Sequence, residues 1–517
     1  MCCNTRMLAL LAAFALAAAA AVPPPPTPAA ARLDALFDAP GTPYLNGAVL
    51  AGENGRVVYA RAFGFADRAM RAPNTVDARF QTASLSKVFT STAILQLADA
   101  KRLRLDDPVV AHLRAFPFPA ITIRHLLSHT SGLPDLELYE PLVAREPDRV
   151  IANADVLPAL AEWKQGLAFT PGSQFRYCNT NYVVLALIVE QASGMPFARY
   201  LERRVFAPAG MRDTYVRTRD TPPDPRVVKN HVLPAVYDTL PVDVTTVHLK
   251  DPVTMRHIRY ETYNLGATLG DQNVITTLPD LFRFAEALQQ GKVLRPATLA
   301  EATTAVRFTD GTIRNEPYDP YNTRCSYGLG WDVCDDAERG KLIGHSGYNR
   351  GIATMLYIDR AKRQTVVAFD NEDGEDFDPK FASIVNVLTG RPPLDVDRRV
   401  SLTREYGRLL LERGANVALI RYNEMRADTA HFTGTQRGLN RLGYDLLHNG
   451  YTAESLEPFR INVVLHPDDA NVYDSYAEAL AANGRNEDAI AMYEKALQLD
   501  PSRESAKKAL ARLRGTR

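Results

Sequence analysis

Four short stretches carry side chains able to do acyl chemistry. In Ser84-Leu85-Ser86-Lys87 a hydroxyl and an amine stand three residues apart, which on a helix places them on one face. A helix beginning at Ser84 holds that hydroxyl in the positive field of its N-terminus, with Lys87 one turn above it. A neutral lysine there takes the serine proton, and a charged one stabilises the alkoxide. Tyr177-Cys178-Asn179 offers a phenol and an amide on one side of an extended segment. A nearby ammonium would hold Tyr177 closer to ionisation and make it a proton shuttle, while Asn179 bonds Lys87 and a substrate amide. His345-Ser346-Gly347 adds an imidazole whose charge switches between about pH 5 and 8, a hydroxyl, and a residue small enough to let substrate approach the backbone. Ser505-Ala506-Lys507-Lys508 repeats the first pattern, but no other candidate group lies near it in sequence.

Elements that position these groups are readable around them. Gly47–Ala51 and Val57–Ala60 form two strands joined by an Asn54-Gly55 turn. The apolar run after Ser84 makes a helix to about Ala100, and Thr122 caps a short helix ending near Ser128. Helices follow over Tyr182–Ala192, ended by Ser193-Gly194, and over Pro279–Gly291; residues 217–262 show no period. Tyr327–Val333, Leu342–Gly347, Ile352–Ile358 and Thr365–Phe369 read as a strand series joined by short turns, hence antiparallel. Strands at both ends with helices between predict an α/β (α+β) domain. Its antiparallel sheet is built from both ends of the domain, with a helical insert.

The chain has 517 residues, 46% hydrophobic and 23% charged, enough for two or three domains with a sizeable core. Lys+Arg 60 balances Asp+Glu 60, so no nucleic-acid or acidic-membrane partner is expected. Met1–Val22 reads as a secretory signal peptide, and residues 23–31 as a Pro/Ala-rich linker. No later segment is long and apolar enough to span a membrane, and a periplasmic or secreted protein is expected. In an oxidising compartment Cys325 and Cys334 either pair across a hairpin or, with Cys178, stay free. The region carrying these candidate groups runs over 32–395; 396–435 is a helical linker or degenerate repeat. Over 436–517 an all-α region carries Ala489, Tyr493, Ala496 and Pro501 at tetratricopeptide spacing, echoed one repeat earlier by Gly443, Leu446, Phe459 and Pro467.

Together Ser84–Lys87, Leu126-Leu127-Ser128-His129-Thr130-Ser131-Gly132-Leu133-Pro134, Tyr177–Asn179 and Gly344-His345-Ser346-Gly347-Tyr348-Asn349 resemble the serine beta-lactamase-related family. That family includes class C beta-lactamases, D-alanyl-D-alanine carboxypeptidases, D-aminopeptidases and family VIII esterases. The resemblance implies Ser84 as acylated nucleophile, Lys87 and Tyr177 as proton-transfer pair, and Asn179 as their orienter. It further implies an oxyanion hole from the backbone N–H groups of Ser84 and Tyr348, with Ser346 and Gly347 lining the substrate site. Beta-lactamases and carboxypeptidases usually carry a lysine where this chain has His345, so carboxylate-dependent lactam turnover is not implied. Arg350 is a candidate to supply the missing charge, though strand alternation does not settle which way it points. His125 and His129 stand four apart, but this stretch is scaffold in the family; neither a metal nor another cofactor is expected. Two functions follow: a serine hydrolase acting on a small ester, a D-amino-acid peptide or a beta-lactam-like substrate, or a scaffold that acylates with little turnover. In the first the repeats dock a protein partner or cover one side of the domain; in the second they bind the partner.

Overall fold

The computed structural model describes residues 27–40, 44–67, 70–146, 149–231, 241–242, 267–318, 323–337, 340–349, 351–372, 377–448 and 450–515. The signal-peptide segment, most of the irregular stretch 217–262 and Arg350 lie outside the described residues.

Eight strands form the main sheet. They are β1 (Gly47–Glu53), β2 (Arg56–Ala62), β3 (Glu316–Tyr318), β4 (Thr323–Tyr327), β5 (Asp332–Asp336), β6 (Gly340–Asn349), β7 (Ile352–Asp359) and β8 (Gln364–Asp370). Their order is β3-β4-β5-β6-β7-β8-β1-β2, and every pairing is antiparallel. The first two strands therefore join the last of the series at β1–β8, as expected from strands at both ends of the domain. The β1–β2 turn places Asn54 and Gly55 at φ 51° and 76°, the left-handed pair that a two-residue hairpin requires.

Alternation along β1, β7 and β8 sends residues to two apolar cores. Leu50, Leu356 and Phe369 face the helical insert. Val49, Met355 and Ala368 face the opposite layer. That layer is formed by α1 (Pro28–Phe37) and a helix over Phe377–Leu388, whose Leu33 and Phe381 are fully buried. On the insert side α2 (Lys87–Asp99) is enclosed from Lys87 to Leu95, because Phe89 packs edge-on to Phe206 and tilted on Phe284. A helix apolar all round belongs in a core. Two further insert helices matter to the site: α3 (Ile123–Leu127), capped by Thr122, and α4 (Asn179–Ser193), closed by Gly194 at φ 71°.

Two expectations need correction, and one open alternative is decided. Asn179 is the first residue of α4 rather than part of an extended segment, so Tyr177 and Asn179 flank a helix start with Cys178 extended between them. The stretch Tyr327–Val333 is not one strand: Gly328–Trp331 turns the chain between β4 and β5. There Gly330 has φ 88°, and a Cβ on it would meet the Ser91 Cβ at 2.5 Å. Of the two readings of the cysteines, pairing holds: Cys325 and Cys334 face each other across β4–β5 and form a disulfide, and Cys178 is free and buried.

Beyond residue 400 the chain is helical, with Leu402–Arg413, Ala415–Ala427, Gln436–His448, Thr452–Leu465, Ala470–Ala482, Asn486–Leu499 and Glu504–Gly515 packed in sequence. The repeat residues pack as their types require: Ala489, Tyr493 and Ala496 are buried, and a Cβ on Gly443 would strike the Phe459 ring at 2.6 Å. Among the described residues no helix is long and apolar enough to cross a membrane.

Candidate active site

Phe80–Gln81 pairs with Val274–Thr276 and delivers the chain into a 3-10 turn, Ala83–Ser86, that runs straight into α2. Ala83 takes φ 46°, a left-handed conformation unusual for a residue with a Cβ. Of the turn, Ala83, Leu85 and Ser86 are buried, leaving Ser84 half-buried at the surface of the domain. Lys87 sits one turn on and is wholly buried.

The lysine makes three hydrogen bonds. Its Nζ lies 3.0 Å from Ser84 Oγ, 2.8 Å from Asn179 Oδ1 and 3.0 Å from the Asp271 carbonyl oxygen. An ammonium fills all three acceptors; a neutral amine keeps the last two and offers its lone pair to the Ser84 hydroxyl. Burial lowers the Lys87 pKa from 10.5 to about 8, against the opposing charges of Asp271, Asp135 and Cys178. A fraction of the molecules thus holds neutral lysine beside the hydroxyl at neutral pH.

Asn179 is itself held. Its N–H and Nδ2 donate to the Asp135 carboxyl at 2.7 and 3.1 Å, and the Thr180 N–H adds a third bond at 3.2 Å. A carboxylate at the start of α4 caps its exposed N–H groups. Burial nevertheless raises the Asp135 pKa to about 6, against those backbone bonds and Lys87.

Tyr177 departs from expectation. The Lys87 ammonium lies 5.0 Å from its ring centroid, over the face of the ring. Desolvation raises the phenol pKa, while a hydrogen bond from Ser84 works the other way. Because 37% of the residue is exposed, that desolvation is weaker than for an enclosed tyrosine, but no pull toward phenolate dominates. Tyr177 is a neutral phenol beside Ser84, able to donate. Its ring is backed by His129, stacked at 4.2 Å, whose Nδ1 accepts from the Cys178 N–H at 3.1 Å. His125 instead closes the cap of α3, its Nδ1 accepting from the Thr122 N–H. The two histidines serve different elements; among the described residues no cluster of three or more His, Cys, Asp or Glu could hold a metal.

On the other side, β6 passes along the 3-10 turn. Gly347 is required by that packing: a Cβ would lie 2.2 Å from the Thr82 carbonyl oxygen and 2.8 Å from the Leu85 N. Its smallness brings two pieces of backbone together rather than admitting substrate alone. Ser346 is half-buried, and Tyr348 is exposed with its hydroxyl donated to Asp378. His345 is buried, with Nδ1 2.5 Å from the Ser346 carbonyl oxygen and Nε2 2.9 Å from the Tyr327 hydroxyl. Burial, then Lys87, pushes its pKa down to about 3. The expected switch between about pH 5 and 8 is therefore absent: His345 stays neutral across that range.

The structure thus gathers Ser84, Lys87, Tyr177, Asn179, His345, Ser346, Gly347 and Tyr348 at one place, where α2, α4 and β6 meet. Ser505, by contrast, bonds Asp474 within the repeat array. Asp135, Tyr327 and the Asp271 carbonyl were not singled out by sequence reasoning, and His129 was weighed only as a metal ligand and as scaffold. Asp135 closes the Gly132–Asp135 stretch, which reads simply as a helix breaker, and backbone carbonyls leave no mark in a sequence.

A family model described as Beta-lactamase matches residues 33–390, and one described as Tetratricopeptide repeat matches 470–513. Penicillin-binding protein 4* of Bacillus subtilis (strain 168) is 33% identical over 407 residues, covering 76% of this chain and 85% of that protein. A D-aminopeptidase of Brucella anthropi is 27% identical over 352 residues, 68% of this chain and 61% of its own. The crystal structure of a penicillin-binding protein from Bacillus halodurans superposes with TM-score 0.53 at 26% identity, covering 66% of this chain and 95% of that one.

Proposed function

The chain belongs to the beta-lactamase family and is a serine hydrolase; from that premise we propose that it cleaves an ester or an amide through an acyl-enzyme on Ser84. The observation that carries this reading is the buried Lys87 amine, 3.0 Å from Ser84 Oγ and anchored on Asn179 and Asp271. In the first step Ser84 Oγ attacks the acyl carbon and its proton passes to the neutral Lys87 amine. The carbonyl oxygen, now negative, is met by the N–H groups of Ser84 and Tyr348; the first of these opens a helix, where N–H groups lack intrahelical partners. As the tetrahedral species collapses, the neutral Tyr177 phenol donates its proton to the leaving oxygen or nitrogen and is resupplied from the Lys87 ammonium. A water then gives its proton to the same pair and releases the acid, returning Ser84 to its hydroxyl form.

D-aminopeptidase and penicillin-binding relatives favour a D-amino-acid amide or peptide as substrate, with a small ester reacting by the same chemistry. Export is part of the proposal: the Met1–Val22 run supports it, and the Cys325–Cys334 disulfide fits an oxidising compartment. The repeats then offer a docking surface for a protein partner. Steady-state release from a short-chain nitrophenyl ester, a D-alanyl amide and a chromogenic cephalosporin tests the reading, each with wild type and Ser84→Ala. Sustained turnover on at least one, abolished by the substitution, is expected. A stoichiometric burst on all three would leave a penicillin-binding scaffold instead.

A further inference from the structure

An asparagine amide has two ends of nearly equal shape and opposite polarity, so the fold must choose which end of Asn179 faces Lys87. Were Nδ2 turned to Lys87, two donors would meet. A charged lysine would be disfavoured there, and a neutral one would commit its lone pair to the amide rather than to the Ser84 hydroxyl. The side chain of Asp135 makes the choice. Its Oδ2 accepts from Asn179 Nδ2 at 3.1 Å, while Oδ1 accepts from the N–H groups of Asn179 and Thr180 at 2.7 and 3.2 Å. An ionised carboxylate has no proton to give, so only the nitrogen end of the amide can turn toward it. Asn179 Oδ1 is then left 2.8 Å from Lys87 Nζ. Asp135 is 8% exposed, and burial raises its pKa only to about 6, so it is ionised at neutral pH. The contact is braced on both sides. Arg176 Nη2 donates to the Leu133 carbonyl at 2.7 Å and Thr180 Oγ1 to the Asp135 carbonyl at 3.4 Å. Ser131 Oγ accepts from the Leu133 N–H at 3.2 Å and donates to Asn181 Oδ1 at 2.7 Å. The two backbone bonds are enough to cap the start of α4; the bond to Asn179 Nδ2 adds nothing to the helix and acts on the amide alone.

We propose that Asp135 is a positioning residue for the reaction: by holding the Asn179 amide nitrogen it keeps the amide oxygen on Lys87 and leaves the lysine lone pair for the Ser84 proton. This rests on the hydrolase reading above and deepens it. Asp135 does not touch the reacting atoms; it acts through Asn179, so its removal disturbs the proton transfer and not the binding of substrate. Asp271, His129 and His345 also bear on the charge of Lys87, and Glu137 on that of Asp135. The phenols of Tyr139, Tyr177 and Tyr182 and the Cys178 thiol face the same pair. Substitutions at 135 and 179 leave all of these in place, so a change in pH profile reports on the amide and the carboxylate themselves.

The test follows hydrolysis of a short-chain nitrophenyl ester by the full chain across pH. Asp135→Asn keeps an oxygen for the two backbone N–H groups but turns an amide nitrogen on Asn179, which must flip to meet it. The plateau kcat should fall about a hundredfold, the scale of a misplaced catalytic group, with KM within about threefold of wild type. Its half-maximal pH should drop by about one unit, because the charged lysine loses an acceptor. Adding Asn179→Asp to Asp135→Asn puts an acceptor back on Lys87, now a charged one. That double variant should recover kcat to within about tenfold of wild type, with a half-maximal pH above it. A plateau kcat kept by Asp135→Asn overturns the proposal. So does a double variant no faster than Asp135→Asn, since additive losses would mean that Asp135 only caps the helix. A second measurement needs no variant to be active. In wild-type protein labelled with nitrogen-15 asparagine, the Asn179 side-chain signal, assigned by its loss in Asn179→Asp, should show one Nδ2 proton protected from exchange. Two freely exchanging protons would also overturn the proposal. Absence of both turnover and fluorophosphonate labelling of Ser84 in the wild type would defeat the hydrolase reading instead, and the exchange result would then decide the Asp135–Asn179 bond by itself.

Discussion

Lys87 has the Ser84 hydroxyl, the Asn179 amide and a carbonyl around one nitrogen in a dry site, and its protonation governs when that hydroxyl can react. With the pKa lowered to about 8 by burial, the reactive neutral form is the minority below that pH. The value of kcat/KM should therefore rise about tenfold per pH unit up to about pH 8 and level off above it. His345, pushed down to about 3, adds no inflection between about pH 5 and 7. A pH–rate profile with a half-maximal point near 6.5, about the ordinary histidine value, would contradict both assignments. The same shift has a sign for stability. Between about 8 and 10.5 the unfolded chain still holds a proton that folded Lys87 has lost, so Lys87 makes stability rise with pH there. At this scale side-chain identity was legible and charge state was not. The order Ser84, Tyr177, His345 could be read from the sequence, but the neutrality of His345 comes from Tyr327 on another strand and from burial. Spacing reports neither.

Elements bring the residues together through close backbone approaches, and Gly347 is the sharpest of these. A side chain at 347 would have to displace the Thr82 carbonyl, which accepts from Thr354 Oγ1 at 2.8 Å, or the start of α2. Gly347→Ala should therefore push β6 away from the Ser84 turn and separate the two N–H groups of the proposed oxyanion site. A loss of about a hundredfold or more in kcat is expected, comparable to removing one such donor, with the far-ultraviolet circular dichroism unchanged. Near-wild-type kcat would show that β6 does not help to form that site. Strands and helices were legible where periodicity is strong: β1 and β2 around Asn54-Gly55, the helix after Ser84, and the cap at Thr122 all form as read. Two kinds of boundary were not. Asn179 looks extended by its neighbours, but Asp135 from a distant loop starts the helix there. Gly328–Trp331 reads as strand by composition, yet Gly330 needs a left-handed turn against Ser91. Cys325 and Cys334 sit at matched positions only once that turn sets the register of β4 and β5.

Across the whole molecule, the hydrolytic part and the helical array have separate cores. The two clusters flanking the main sheet hold no residue beyond Leu388, and those of the array begin at Leu402. Separate cores imply separate stability, since burial of apolar surface supplies most of it. Links between them include the ion pair of Arg404 Nη1 with Glu372 Oε1 at 2.7 Å, a bond from Arg398 Nη1 to the Leu36 carbonyl at 3.4 Å, and the Arg398 guanidinium 5.5 Å from the Tyr44 ring centroid. The terminal helix of the hydrolytic part, Phe377–Leu388, packs on α1 rather than on the array, so the domain closes on its own N-terminal helix. A chain ending at Asp395 should accordingly fold, label at Ser84, and keep kcat/KM within about threefold of the full chain. Its thermal transition should match one of two steps in the full-length scan. Insolubility, or loss of Ser84 labelling with the full chain active, would mean that the array completes the hydrolase rather than decorating it. Any partner captured by the repeats should then bind the full chain and not the shortened one, because Gly443, Phe459, Ala489 and Tyr493 belong to the array alone.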